Sequence, residues 1–239
     1  MSDNWMGIAR NISEHFSVVI PDLRNHGRSF HSDTHSYEAL SFDVENLRHH
    51  LGIKKFFLAG HSMGGKTAMQ YSVQHQENLN GLIIFDVAPV DYPDENHHIT
   101  IHRHILESMN SVKTGELKSR EEAMEKLGSY LPDVKLLQFL LKNLARNSDG
   151  SFYWMLNIPV LISNLNAMLK GFSKQYEPIS GFPVVFVKGN KSDYIIPEHF
   201  EAMYKLYPAH ELTDIPDAGH WLHQEQPQLV TDLLIKLLK

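Results

Sequence analysis

Gly60-His61-Ser62-Met63-Gly64 sets a serine at the centre of a G-x-S-x-G pattern. A serine hydroxyl becomes a useful nucleophile only when a base takes its proton. Acyl transfer also needs a group to orient that base and N–H donors for the developing oxyanion. Five-residue matches occur by chance, so context decides. Here an apolar run, KKFFLAG (54–60), leads into the motif, and a helical pattern from Gly64-Gly65 to His75 leads out of it. Strand, turn and helix in that order hold a nucleophile in a sharp, strained turn. The positions two residues to either side must then be small. The helix directs its N-terminus at the developing negative charge, and the Met63 N–H is one oxyanion donor.

The chain has 16 histidines, so position rather than presence must choose the base. His220, in DAGHWLHQEQP, follows the last strand pattern and a loop-forming glycine, and it precedes the last helix. His223 is the rival and reads as a cap-facing or surface residue. For the acid, Asp86 ends the strand after the nucleophile helix, in FDVAPVDY, and Asp193 follows the next strand, in KGNKSDYI. Both precede His220 and both lie at C-terminal strand ends, where open α/β sheets bind ligands. Either could accept the histidine Nδ1–H and hold the tautomer that leaves Nε2 as base. Asp86 and Asp193 are therefore the two candidate acids.

The elements that must position these residues alternate. Residues 4–15 predict a short helix, FSVVIPD (16–22) a strand, and 36–51 a helix with apolar residues at helical spacing. KKFFLAG, a continuous apolar run, predicts a strand covered on both faces. LNGLIIFDVAP (79–89), FPVVFVKG (182–189) and HELTDIPD (210–217) predict further strands, with helices near 198–206 and 226–238. From about 94 to 175 the pattern is helical with no convincing buried strand. This is an α/β chain: a mostly parallel sheet, helices on both faces, and an inserted helical cap. The expected division is 1–92 and 178–239 for the core and 93–177 for the cap.

Composition excludes several other functions. With 239 residues, 42% hydrophobic and 21% charged, the chain can bury a core. A net charge of −6 without a polybasic run argues against nucleic acid as partner. No apolar stretch reaches the roughly 20 residues of a membrane span, and the N-terminus lacks the apolar core of a secretory signal. The absence of cysteine excludes disulfides, thiolate nucleophiles and cysteine-ligated zinc, and a reducing cytoplasm is the expected location. His97, His98, His102 and His104 cluster in NHHITIHRH, where solvent-facing cap histidines are the simpler reading than a metal site. Arg24, in a loop at a strand end, either lines the pocket or pairs with a carboxylate, and the structural role is read ahead of the functional one. Lys66 is read as a helix-surface or elbow-supporting residue.

DLRNHGRS, GHSMGGK, FDVAPVDY, FLLKNL with G-x-F-x-W, and AGHWLH together resemble the α/β-hydrolase superfamily, and more closely the small YbfF-like esterases and their mitochondrial relatives. The resemblance implies Ser62 as nucleophile, His220 as base and Asp86 at the D-[IV]-[AS]-P signature. It also implies hydrolysis of short- to medium-chain acyl esters, or acyl thioesters, with no metal or organic cofactor. In the loop after the later strand, family members read Gly-Gly-Asn-Ser without an acid. This chain has Asn190-Lys191-Ser192-Asp193, which keeps Asp193 as the alternative.

The beginning departs from the family. Family members read His-Gly-Leu-Phe-Gly-Ser before an Asp-Asn-Trp, whereas Ser2-Asp3-Asn4-Trp5 here follows directly on Met1. The expectation is a sheet without the family's first three strands and without the His-Gly loop that supplies a second oxyanion N–H. The leading expectation is a serine hydrolase of small acyl esters, monomeric or a small homo-oligomer. The alternatives are an inactive or binding-only protein of the same fold, or a carbon–carbon bond hydrolase or lactonase.

Overall fold

The structure is a computed structural model that describes residues 1–92, 97–170 and 176–238, with side chains at 97–99 outside the description. In chain order the elements begin with α1 (Met6–Ile12), α2 (Tyr37–His50), β1 (Phe56–His61), α3 (Met63–His75) and β2 (Leu79–Phe85). Next come α4 (His97–Ser111), α5 (Arg120–Gly128), α6 (Val134–Leu141), β3 (Leu144–Arg146), β4 (Phe152–Trp154) and α7 (Ile158–Leu169). The last are β5 (Val184–Gly189), α8 (Phe200–Leu206), β6 (Glu211–Ile215), α9 (Leu222–Glu225) and α10 (Pro227–Leu237). The chain divides into two compact units. The larger comprises Asn4–Ile20, Ser36–Asp91 and Lys170–Lys239, and the smaller comprises Met1–Asp3, Pro21–His35 and Tyr92–Leu169.

The larger unit is built on a parallel sheet of order β1-β2-β5-β6. Side chains alternate across it. Ile83, Phe85, Val185, Val187 and Ile215 pack with α1 and α10 on one face, while Ile84 meets α3 at Gly65 on the other. Each fully buried aliphatic or aromatic side chain in these layers contributes about 1.5–3 kcal/mol. α2 lies against α3. It starts where the Ser36 hydroxyl accepts the Ala39 N–H at 3.3 Å, and it ends in Arg48, His49 and His50, which suit the negative end of the helix dipole. Among the described residues, no helix is long and apolar enough to cross a membrane.

Two sequence expectations change here. FSVVIPD forms no strand: residues 17–23 carry no ladder, and Val18 and Val19 are exposed. A strand exists only with a neighbour to take its N–H and C=O groups, and no described strand lies beside this one. The strand β1 is not covered on both faces either. Phe56 packs edge-to-face on Tyr71 of α3, but Phe57 and Ala59 point the other way and are exposed. The α1 and α10 layer covers β2, β5 and β6 and stops short of β1. Phe57 lies across its register partner Gly81, where a Cβ would come within 2.7 Å of the ring.

In the smaller unit, Met109, Leu127, Leu144, Leu140, Phe152 and Ile158 form the centre of an apolar core. β3 and β4 form an antiparallel hairpin inside the stretch that the sequence presents as helical. The loop 21–35 is pinned by polar contacts. Asp22 accepts the Arg28 N–H at 3.0 Å, and Gly27 at φ +59 leaves no room there for a Cβ. Asn25 Oδ1 accepts from the Ser32 N–H and from Asn157 Nδ2, which fastens the loop to the start of α7. Arg24 donates to the Thr34 carbonyl at 3.2 Å and lies over the Phe30 ring, a structural role within this loop.

Candidate active site

The parallel order brings the C-terminal ends of four adjacent strands together, and each delivers one piece of the site: Ser62 follows β1, Asp86 follows β2, the 190–194 loop follows β5, and the loop to His220 follows β6. All of these pieces belong to the larger unit.

Ser62 has φ 54 and ψ −118, outside the regions that a side-chain-bearing residue favours. Such a conformation costs about 1–3 kcal/mol and persists only when the surroundings impose it. The Ser62 N–H donates to the Phe85 carbonyl at 3.0 Å, and the Ser62 carbonyl accepts the Lys66 N–H at 3.0 Å. Gly60 is obligatory, because a Cβ there would stand 2.2 Å from the Gly64 carbonyl oxygen. The sequence pattern makes Gly64 the matching small residue, but a Cβ at Gly64 meets nothing within 4 Å. The second tight position is Gly65, where a Cβ would stand 2.6 Å from Val87 Cγ1 as α3 crosses β2. Met63 opens α3, so its N–H is one of the first-turn donors without an intrahelical acceptor.

Asp86 is fully buried and also has positive φ, 50°. Its N–H donates to the Val187 carbonyl at 2.8 Å. Three donors converge on its carboxyl: the Gly189 N–H at 3.2 Å, the Ser192 hydroxyl, and His220 Nδ1 at 2.8 Å. Burial pushes the carboxyl up to about 7, against the downward pull of Ser192, Gly189 and Lys188. An ionised carboxylate can only accept, so Nδ1 carries the proton and Nε2 is left as acceptor. Ser62 Oγ lies 3.1 Å from Nε2 and donates to it. The result is a continuous relay from hydroxyl to imidazole to carboxyl.

The loop that presents His220 is stitched to its neighbour. The Lys191 N–H donates to the Ala218 carbonyl at 2.9 Å, and the Gly219 N–H donates to Glu225 at 2.9 Å. A Cβ on Gly189 would fall 2.3 Å from the Gly219 carbonyl oxygen, so only glycine lets the two loops cross. His61 Nε2 donates to the His220 carbonyl at 2.7 Å, and the Tyr194 ring stacks on the His220 imidazole at 3.6 Å.

The structure thus brings Ser62, His220 and Asp86 together, with the Met63 N–H at the helix start beside Ser62. Asp193 is exposed, and its charge adds to the upward push on Asp86. Ser192, its neighbour, is the residue of that loop that reaches Asp86. His223 is not a surface residue: it is buried and stacked on Trp5, ring centroids 4.7 Å apart. Lys66 is buried as well, donating to the carbonyls of Val90 (3.0 Å) and Lys170 (2.5 Å), and burial brings its ammonium down to about 7. Sequence reasoning missed Ser192, His61 and Tyr194 as contributors. The only available signal was their adjacency to Asp193 and Ser62. The side chains of His97 and His98 lie outside the described residues, and among the described residues no cluster of His, Asp and Glu could hold a metal.

A family model described as alpha/beta hydrolase fold matches residues 1–227. The chain is 36% identical over 225 residues to a mouse (Mus musculus) protein named sn-1-specific diacylglycerol lipase ABHD11, covering 92% of this chain and 71% of that one. It is 30% identical over 228 residues to Esterase YbfF of Escherichia coli (strain K12), covering 95% and 85% respectively. A solved structure titled marine microorganism esterase superposes with a TM-score of 0.95 at 35% identity, covering 98% of this chain and 90% of that one.

Proposed function

Since the chain belongs to the α/β-hydrolase fold family, we propose that it hydrolyses carboxylic esters through an acyl-enzyme on Ser62. The observation that carries the reading is the unbroken relay, 3.1 Å from Ser62 Oγ to His220 Nε2 and 2.8 Å from Nδ1 to Asp86. Relatives named esterases and lipases support the ester as the bond cleaved.

Ser62 Oγ attacks the ester carbonyl as His220 Nε2 takes its proton. The imidazolium that forms keeps its Nδ1–H on Asp86, whose negative charge stabilises it. The carbonyl oxygen becomes an oxyanion near the start of α3, where the Met63 N–H and the helix dipole favour negative charge. His220 then protonates the leaving alkoxide. Water, deprotonated by the same nitrogen, releases the acid and restores Ser62. Asp86 is the acid that the geometry favours over Asp193. Small acyl esters are the inferred substrates, and acyl thioesters would react at the same carbon. The cytoplasm suits a chain without cysteine.

The test is a fluorophosphonate probe together with turnover of short aryl esters. Wild type is expected to label and turn over, and Ser62→Ala to do neither while keeping its circular dichroism spectrum. Labelling of Ser62→Ala at the wild-type rate would refute the nucleophile. A folded wild type that neither labels nor turns over would leave a binding role for the fold.

A further inference from the structure

His220 is one ring in a column of five. Trp5 stacks on His223 (4.7 Å, 8°), and His223 meets His61 (4.7 Å). His61 meets His220 (4.7 Å), and His220 stacks on Tyr194 (3.6 Å, 12°). His61 adds a directional bond to the stack, from Nε2 to the His220 carbonyl at 2.7 Å. A carbonyl only accepts, so this nitrogen carries a proton. His61 is also the residue before Ser62. One peptide therefore joins the hydroxyl that contacts the His220 imidazole to the ring that holds the His220 backbone.

We propose that His61 is a positioning residue that fixes the distance between Ser62 and His220 by gripping the base's own carbonyl. This rests on the reading of Ser62, His220 and Asp86 as the catalytic relay. Two other loop bonds, to Ala218 and Gly219, hold the residues before His220 and come from elements that do not carry Ser62. The His61 bond ties His220 to β1. Tyr194, face to face with the imidazole, limits ring rotation on the far side. His61 bonds the backbone of the base, so its effect is expected in the chemical step, with substrate binding left alone. A displacement of about 1 Å between nucleophile and base costs about 100-fold in rate.

The experiment compares wild type with His61→Leu, His61→Gln and His61→Asn. The readouts are aryl ester kinetics, fluorophosphonate labelling rate and thermal melting. His61→Leu removes the donor and is expected to lower kcat and the labelling rate by about 10- to 100-fold, with KM within about twofold. The Gln amide is long enough to donate to the same carbonyl and should recover to within about fivefold of wild type. The Asn amide is too short and should not. If His61→Leu fails to fold, the Gln and Asn pair still decides, because both carry the same chemistry at different reach. Wild-type kcat and labelling in His61→Leu, or equal rates for Gln and Asn, would overturn the proposal. Unchanged labelling in Ser62→Ala would instead overturn the reading on which it rests.

Discussion

At the scale of single residues, Asp86 carries an electrostatic cost. Its carboxyl is fully buried, and burial holds it up to about 7 when folded, against about 4 when unfolded. The folded protein therefore keeps this proton to higher pH than the unfolded chain does. Wild type should lose stability as pH rises through that window, and the loss is complete above it. Asn at this position does not titrate. The melting temperature of Asp86→Asn relative to wild type should climb between about pH 4 and about pH 7 and then level off, while kcat falls by about 10⁴. A difference that stays flat across those pH values would contradict the assigned cause. Side-chain types alone did not separate Asp86 from Asp193, because both follow strands that end at the same edge of the sheet. Their difference is tertiary: one is enclosed by Gly189, Ser192 and His220, and the other faces solvent. The stacking of Tyr194 on His220 is equally invisible in one dimension.

The turn between β1 and α3 shows what a motif encodes and what it omits at the scale of elements. The serine in its apolar-strand context was legible, and so was the helix after it. Which glycine matters was not, since that depends on the distance between α3 and β2. Gly60→Ala is expected to destabilise by about 2–3 kcal/mol in urea denaturation, because backbone rather than a movable side chain occupies the space. Gly65→Ala should cost about 1–2 kcal/mol, with Val87 as the yielding group. Gly64→Ala should be neutral or gain up to about 1 kcal/mol from helix propensity. Equal losses at all three positions would contradict this account. The strand expected at FSVVIPD was misread for a related reason. Pattern reports which residues could pair, while pairing needs a neighbour. The β3–β4 hairpin was missed because its three-residue strands are too short to show a period.

The four strand ends meet in the order β1-β2-β5-β6 at the scale of the whole molecule, and a mostly parallel α/β fold was legible from the alternation of elements. The consequence is kinetic. Ser62 and His220 stand 158 positions apart, and Asp86 and His220 stand 134 apart. Helices such as α3 can form from local contacts within microseconds, but the relay closes only after segments far apart in the chain have found each other. Hydrolytic turnover is thus a clock for the last event of folding. After dilution from urea, the helical dichroism signal should return first, and ester turnover should return in a later, slower phase. Turnover rising in step with the helical signal would mean that the distant strands meet as early as the local helices form.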